Sequence, residues 1–219
     1  MSEFQPILDC LPAAQQRVWE LLGQIPSNFV LYGGTAIALQ LGHRQSIDFD
    51  FFSSDPFRPD DLIRSIPMLA NGERLLSEAD TLTVELENDD PVMLSFFGGL
   101  AMSRVGEPQR SEGNGVTIAS LLDLSATKMS AIQDRAESKD YLDIIALMEA
   151  GITLEQALGA ACSVYGEHFN AAISLKALAY FEDGDLPTLP EDVQTRLSDA
   201  AAAAGQLPIV PAVSHQLVD

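Results

Sequence analysis

The chain has 219 residues, enough for one compact domain or for a catalytic domain with a helical appendage. Its 12 basic and 32 acidic residues give a formal net charge of −20, which argues against a general binder of polyanions or acidic membranes but allows one local basic pocket. With 47% apolar residues the chain can bury a core, and no run approaches the roughly 20 apolar residues that a membrane span needs.

The cysteines and the first residues of the chain indicate the cellular compartment in which we expect the protein. Cys10 and Cys162 are far apart and form no dense cysteine framework, so we expect reduced thiols. The opening residues Met-Ser-Glu-Phe show neither a basic nor an apolar leader pattern, and we expect no secretory signal. We therefore expect a soluble, cytoplasmic protein without a membrane partner.

The first 70 residues alternate between helical and strand patterns. Apolar residues at helical spacing predict the first helix, and short apolar or β-branched runs predict strands. A Gly-Gly turn separates the first strand from the second helix. The predicted elements are helix 12–24, strand 29–32, helix 35–41, strand 47–52 and helix 60–69.

The pattern then changes twice. Residues 72–99 alternate with period two and predict two strands joined by a turn at Asn88–Pro91. Residues 103–115 are polar and rich in Gly and Pro, which is typical of a boundary. Helical patterns follow over 118–136, 138–149, 153–166, 169–181 and 191–204. We therefore expect an α/β domain over 1–115 and a helical domain over 116–219 that ends in a loosely held tail.

The first group with chemical potential combines a glycine turn and two aspartates. Asp48 and Asp50 are two residues apart in a predicted strand, so their carboxylates point to one face and favour a divalent cation such as Mg²⁺ between them. Gly33 and Gly34 precede a helix, where backbone N–H groups can approach a phosphate and Thr35 can add a hydroxyl. The arrangement predicts a metal-bound triphosphate. A plain turn and a solvated strand face are the alternatives.

The second group is a basic stripe on a predicted helix. On one continuous helix Lys128, Arg135 and Lys139 share one face because steps of 7 and 11 residues nearly close whole helical turns, and Asp140 and Asp143 follow. If Ser138 instead caps a new helix, the stripe bends but the groups stay near one another. A surface helix with ion pairs is the simpler interpretation. In a chain this acidic, however, clustered cations favour a triphosphate clamp, and we expect both groups to meet on one ligand.

These motifs resemble a known family. The segment Gly33-Gly34-Thr35-Ala36, continuing through His43-Arg44-x-Ser46 to Asp48-Phe49-Asp50-Phe51-Phe52, is similar to the first motif of the AbiEii/AbiGii-type nucleotidyltransferases, which belong to the polymerase-β-like superfamily. The resemblance implies an α+β fold, in which a nucleotidyltransferase α/β domain with a mixed sheet precedes a C-terminal helical bundle. It also implies Mg²⁺-dependent transfer of NMP from an NTP to an acceptor hydroxyl of tRNA or protein, by a toxin of a toxin–antitoxin or phage-defence system with an antitoxin partner.

The resemblance also implies roles for single residues. Asp48 and Asp50 would hold the metal and act in catalysis with Lys128 and Asp143. The nucleotide would contact the residues Gly33, Gly34, Thr35, Arg44, Ser46, Lys128, Arg135, Lys139 and Asp140. For Asp140 and Asp143 the two implied roles are orientation of Lys128 and action near the acceptor.

One departure from the superfamily pattern leaves a second function open. Ser95 stands on a later strand where a third carboxylate would complete the metal site, and Glu85 and Glu87 on the neighbouring strand are candidate substitutes. Both glutamates also fit the solvated face of that strand. A catalytically silent nucleotide-binding or protein-interaction module on the same fold is therefore the alternative.

Overall fold

The computed structural model describes residues 2–86 and 90–218. The chain divides into two compact units: unit 1 comprises Met1–Met102, Glu107–Ser120 and Ser214–Asp219, and unit 2 comprises Ser103–Gly106 and Leu121–Val213. Glu87 and the first two residues of the predicted turn at Asn88–Pro91 lie outside the described residues.

Unit 1 is built on a mixed sheet whose eight described strands follow the order β1-β7-β8-β2-β3-β6-β5-β4. β3 runs antiparallel to β2 and parallel to β6, so the three central strands combine both orientations. The strands are β1 (Glu3–Phe4), β2 (Val30–Tyr32), β3 (Phe49–Phe52), β4 (Glu73–Glu78), β5 (Thr81–Leu86), β6 (Val92–Phe97), β7 (Gln109–Ser111) and β8 (Thr117–Ile118). The mixed sheet that the resemblance implied is present.

Aromatic side chains fill the centre of this sheet. Phe51 and Phe96, on the paired strands β3 and β6, stack with ring centroids 5.3 Å apart, and both are fully buried. Apolar residues that alternate along a strand reach one face, which explains why Phe49 and Phe51 point into the core while the residues between them do not. This core fixes the position of β3, the strand that carries Asp50.

Three helices accompany the sheet of unit 1: α1 (Ala13–Trp19), α2 (Gly33–Leu41) and α3 (Pro59–Ser65). α2 starts directly after β2 and ends at Gly42, which adopts the left-handed conformation with φ of 66° as the sequence predicts for a glycine helix end. The predicted helix 12–24 is shorter than expected, because a separate 3₁₀ turn at Leu22–Gln24 follows α1.

Unit 2 is helical, as the sequence predicts for this part of the chain. Its helices are α4 (Leu121–Asp134), α5 (Ser138–Glu149), α6 (Leu154–Tyr165), α7 (Ala171–Ala177) and α8 (Glu191–Ala203). Thr153 starts α6 with a capping box, in which its hydroxyl and the Gln156 side chain satisfy each other's backbone N–H groups. At α5 the Asp185 carboxylate accepts hydrogen bonds from the backbone N–H and the hydroxyl of Ser138.

Several expectations about local structure differ from the structure. Residues 72–99 contain β4 in addition to the two predicted strands. The predicted strand 47–52 begins only at Phe49, and Ile47 is 55% exposed. The polar stretch 103–115 contains β7, and the helix expected from 118 starts at Leu121 because β8 precedes it. Strands of two or three residues are too short to show a period in the sequence, so neighbouring strands decide whether they form.

The segment after α8 makes specific contacts within each unit. In unit 2 the Ser163 hydroxyl donates to the Val210 carbonyl, and the Val213 N–H donates to the Arg104 carbonyl at 2.8 Å. In unit 1 Leu217 is 1% exposed and its N–H donates to the Ser54 hydroxyl at 2.9 Å. The sequence predicts a loosely held tail, whereas these bonds and the burial of Leu217 fix it at several points.

The described helices differ from a membrane-spanning helix in length and hydropathy. Within residues 2–86 and 90–218 no single helix is both long and apolar enough to cross a bilayer. Ser138–Glu149 and Leu154–His168 pass only when taken as a pair, and that pair is bent by 113°.

Candidate active site

The glycine turn and Asp50 meet at the start of α2. Tyr32, the last residue of β2, pairs with Asp50 of β3, so Asp50 lies beside the first turn of the helix. Gly33 has φ of 74°, and a Cβ atom built on it would lie 2.6 Å from Oδ2 of Asp50. Glycine is required at position 33 for two reasons: its backbone adopts a positive φ, and the Asp50 carboxylate occupies the space of a side chain. Unit 1 thus brings together two motifs that the sequence separates by 14 residues or more.

Asp48 reaches the same region from the segment before β3. It is partly exposed, as is Asp50. The Thr35 hydroxyl in the first turn of α2 donates a hydrogen bond to the Asp48 carbonyl, and the hydroxyl oxygens of Thr35 and Ser46 are 2.8 Å apart. Thr35 is 1% exposed and Ser46 8%. Thr35 and Ser46, two of the predicted nucleotide contacts, are therefore hydrogen-bonded to each other, and Thr35 is bonded to the backbone of Asp48.

Hydroxyl groups surround Asp50 on its other side. Asp50 pairs with Ser95 of β6, and Ser95 pairs with Thr83 of β5, so the three side chains share one face of the sheet. The Ser95 and Thr83 hydroxyl oxygens are 3.3 Å apart. Glu85 lies two residues beyond Thr83 and hence on the same face. A serine therefore stands next to Asp50 where the superfamily pattern has a carboxylate.

The side chains at the start of α2 offer oxygen ligands for a divalent metal. Asp48 and Asp50 offer carboxylate oxygens, the ligands that Mg²⁺ prefers, and both are accessible to solvent. In the part of the chain that the structure describes, no three His, Cys, Asp or Glu side chains are grouped so that they could hold a metal ion. Two carboxylates alone fit Mg²⁺, which usually keeps several waters and adds substrate phosphate oxygens.

Arg44 lies within the loop between α2 and Asp48. Its guanidinium donates to the Gln45 carbonyl at 2.8 Å, and it is close enough to Cys10 to affect that thiol. Burial raises the pKa of Cys10, and the positive charge of Arg44 only partly offsets this effect. The model therefore ties Arg44 to its own loop, and its role as a nucleotide contact stays a prediction.

The second predicted group forms a compact ion cluster inside unit 2. The Lys128 ammonium contacts Asp140 at 2.6 Å and Asp143 at 2.7 Å. Arg135 adds two hydrogen bonds to Asp140, of 2.7 and 3.1 Å. The side chains of Asp140 and Asp143 are completely buried and that of Lys128 is 5% exposed. The predicted stripe on one helix is interrupted, because α4 ends at Asp134 and α5 begins at Ser138, and these contacts join the two helices.

The three basic residues of the predicted stripe differ in exposure. Arg135 and Lys139 are about half exposed, at 47% and 51%, and Lys139 contacts Glu137 at 3.0 Å. Lys128 instead points inward between two carboxylates, a position typical of a buried ion pair. Its predicted contact with nucleotide phosphates stays a prediction, as do those of Arg135 and Lys139.

Charges within the cluster change the ionisation of their neighbours. Burial alone would raise the pKa of Asp140, but hydrogen bonds from Arg135 and the charge of Lys128 outweigh it and lower the pKa. Burial raises the pKa of Tyr141 to about 12, and the charges of Asp140 and Asp183 add to the shift. Asp140 is therefore ionised at neutral pH while the adjacent phenol of Tyr141 stays neutral.

Two buried charged residues of unit 2 were not predicted from the sequence. Asp123 is 2% exposed and accepts hydrogen bonds from the backbone N–H groups of Val105 (2.7 Å) and Gly106 (3.0 Å). Arg104, in the same segment, is 3% exposed. An aspartate in the first turn of a helix usually stays near solvent. The sequence therefore does not show that Asp123 binds residues 103–106; only their position in the structure does.

A cleft of about 970 Å³ in unit 1 lies at the ends of the central strands that are remote from Gly33. It is lined by Phe29, which precedes β2, and by Asp80, which precedes β5. Gly33, in contrast, follows β2, so the cleft and the aspartate pair occupy opposite ends of the central strands. The predicted site residues are absent from its lining.

Comparisons with known proteins agree with this geometry. A family model described as "Nucleotidyl transferase AbiEii toxin, Type IV TA system" matches residues 22–213. An uncharacterized protein from Aquifex aeolicus (strain VF5) is 33% identical over 162 residues, which are 73% of this chain and 76% of that protein.

A crystal structure supports the fold. It belongs to an H. pylori protein described as a candidate nucleotidyltransferase and matches with a TM-score of 0.53 and 18% identity, covering 86% of this chain and 91% of that one. At this identity the likeness concerns the fold alone. The family resemblance and the α+β nucleotidyltransferase fold predicted from the sequence are confirmed.

Proposed function

Because this chain belongs to the AbiEii nucleotidyl transferase toxin family, we propose that it transfers a nucleoside monophosphate from an NTP to an acceptor hydroxyl in a Mg²⁺-dependent reaction. The observation that carries the proposal is the meeting of Gly33, Asp48 and Asp50 at the start of α2 in unit 1. Phosphate-binding backbone and metal-binding carboxylates are the two components that this chemistry needs.

The protein's own groups would act mainly by positioning. The backbone N–H groups at Gly33 and Gly34 begin a nine-residue helix, whose positive end favours phosphate oxygens. Asp48 and Asp50 would hold Mg²⁺, which when bound neutralises phosphate charge. The acceptor oxygen forms a bond to the α-phosphorus, the bond from that phosphorus to the bridging oxygen breaks, and pyrophosphate leaves. The proton of the acceptor hydroxyl passes to water or to a carboxylate of the site.

The decisive test removes one carboxylate charge at a time. Asp48→Asn and Asp50→Asn should each lower the transfer of label from an α-labelled NTP to bulk tRNA about a hundredfold or more, because each removes a charged group from the reaction centre. Asp9→Asn, which changes an exposed aspartate elsewhere in unit 1, is the matched control and should leave activity unchanged. Full activity in Asp48→Asn, with the circular dichroism spectrum of the wild type, would remove the basis of the assignment.

The family description supports the biological role that we propose. It names toxins of type IV toxin–antitoxin systems, so we propose that expression of this chain arrests growth and that a cognate antitoxin relieves the arrest. With a net charge of −20, contacts to an RNA acceptor would be confined to a local patch. Induction of wild type and of Asp48→Asn in the same host tests this, since only the wild type should arrest growth.

A second candidate function rests on Ser95. Because a serine stands beside Asp50 where a third carboxylate would complete the metal site, the chain is also compatible with a nucleotide-binding module without transfer activity. Calorimetry with each NTP, with and without Mg²⁺, separates the two functions when it is followed by the transfer assay. Tight binding of Mg²⁺·NTP without transfer to tRNA or protein would favour the silent module.

A further inference from the structure

Asp48 is the one member of the aspartate pair whose backbone precedes the strand ladder. The ladder of β3 starts at Phe49, which pairs with Leu94, and Asp50 is held between Tyr32 and Ser95. Asp48 lies outside these pairs, and its carbonyl accepts the hydrogen bond of the Thr35 hydroxyl. The position of this carboxylate is therefore set from α2 rather than from the sheet.

Ser46 completes the connection. Its hydroxyl oxygen lies 2.8 Å from that of Thr35, and its backbone N–H donates to the Cys10 carbonyl at 3.2 Å. The Thr35 hydroxyl is oriented to donate to the Ser46 hydroxyl and to the Asp48 carbonyl, and its one hydrogen is used within the protein in either case. Thr35 therefore links Ser46 to Asp48 through polar contacts.

We infer that Thr35 and Ser46 are positioning residues that hold Asp48 in its metal-binding place and do not contact the nucleotide. The inference rests on the proposed function and differs from the phosphate contacts that the sequence assigns to both residues. Two observations support it: both side chains are buried, at 1% and 8% exposure, and the only hydrogen of the Thr35 hydroxyl is used within the protein.

The inference predicts a particular kinetic change. Thr35→Val keeps the size of the side chain and removes the hydroxyl, so the Mg²⁺ concentration for half-maximal activity should rise about tenfold or more, as when residues that orient metal ligands are replaced. The KM for NTP at saturating Mg²⁺ should change less than about twofold. Thr35→Ser retains the hydroxyl and should restore the Mg²⁺ dependence of the wild type.

A direct phosphate contact would give a different pattern. Thr35→Val would then raise the KM for NTP even at saturating Mg²⁺, and Ser46→Ala would act independently of it. In our interpretation Ser46→Ala shifts the Mg²⁺ dependence in the same direction, and the double variant is little worse than Thr35→Val, because both changes break the link from Ser46 through Thr35 to Asp48. Thr195→Val, which removes a threonine hydroxyl from the Glu191 carbonyl on α8, is the matched control and should change neither constant.

A measurement without catalysis keeps this inference separate from the proposed function. In the metal-free protein, hydrogen exchange of the backbone amides over residues 46–50 should be faster in Thr35→Val than in wild type and normal in Thr35→Ser. Wild-type protein that neither binds Mg²⁺·NTP nor transfers NMP would refute the proposed function and leave this readout intact. Unchanged exchange and an unchanged Mg²⁺ dependence in Thr35→Val would overturn the positioning role.

Discussion

Lys128→Met is expected to destabilise the protein strongly. The ammonium of Lys128 lies between the carboxylates of Asp140 and Asp143, at 2.6 and 2.7 Å, and the side chains of both aspartates are completely buried. Methionine has a similar length and no charge, so the variant removes the cation and retains most of the packing. It leaves two buried carboxylates with Arg135, which already bonds to Asp140.

The size of the effect follows from the burial of the partners. Removing one member of a buried ion pair costs about 3–5 kcal/mol, because the remaining charge stays away from water without its counter-ion. The cluster holds two positive and two negative side chains, so Lys128→Met leaves it with an excess negative charge. We expect a loss of about 3 kcal/mol or more in the free energy of unfolding, a large part of the stability of a typical domain.

Urea unfolding followed by circular dichroism at 222 nm measures this loss, since the cluster belongs to the helical unit 2. Emission of Trp19, the single tryptophan, reports on unit 1 in the same samples. Lys176→Met, which changes an exposed lysine on α7, is the matched control and should stay within about 0.5 kcal/mol of wild type. A loss below about 1 kcal/mol in Lys128→Met would refute the structural role, and lost transfer activity in that stable variant would favour the predicted phosphate contact instead.

Charge balance within the cluster provides a second check. Lys128→Met combined with Asp143→Asn restores neutrality, because Asp140 keeps Arg135, and the double variant should recover at least half of the lost stability.

The lowered pKa of Asp140 means that its contribution to stability is present above the unfolded pKa of about 4 and is lost as the pH falls through the lower folded pKa. Wild-type stability should therefore decrease in acid below about pH 4.

Three further predictions concern other parts of the chain. Gly33→Ala and Gly113→Ala both place alanine at positive φ, at a cost of about 1–2 kcal/mol, but only Gly33→Ala should also abolish activity, since its methyl group would lie 2.6 Å from the Asp50 carboxylate. Because the folded pKa of Tyr141 is about 12, stability should fall as the pH rises from 10 to 12, and Tyr141→Phe should reduce this fall in alkaline unfolding curves. Leu217→Ala should cost about 2 kcal/mol or more in thermal or urea unfolding, while Leu21→Ala, at a position 45% exposed, should cost far less.

The sequence predicts the aspartate site but not the exact position of Asp48. The sequence predicts a short apolar strand, a glycine turn, a helix and a second strand. The antiparallel pairing of Tyr32 with Asp50 then brings Asp50 beside the start of α2. The position of Asp48 was predicted to lie on the strand and lies before it. No periodic pattern reveals this difference, because it depends on a bond from Thr35, a residue 13 positions earlier.

The cluster in unit 2 shows a different limit. Helical spacing predicts one stripe of Lys128, Arg135 and Lys139, whereas the helix ends at Asp134 and Lys139 contacts Glu137 at the start of the next helix. Lys128 and Arg135 both contact Asp140 across this break. Spacing alone does not reveal which side of the helix faces the interior, because that depends on the helices that pack against it. The sequence therefore predicts a solvent-facing clamp from the same residues that form a buried ion cluster with Lys128 at 5% exposure.

The exposure of the four aspartates decides which pair is suited to a metal ion. Mg²⁺ enters a site with most of its water shell and retains several waters, so its carboxylate ligands must be open to solvent. Asp140 and Asp143 are fully buried against an ammonium group, and a second cation there would have to displace Lys128. Asp48 and Asp50 are partly exposed and adjoin the amino end of a helix where phosphate oxygens would bind. The exposure of these side chains therefore supports our proposal that a metal would bind in unit 1, and it favours a role in stability for the buried charges of unit 2.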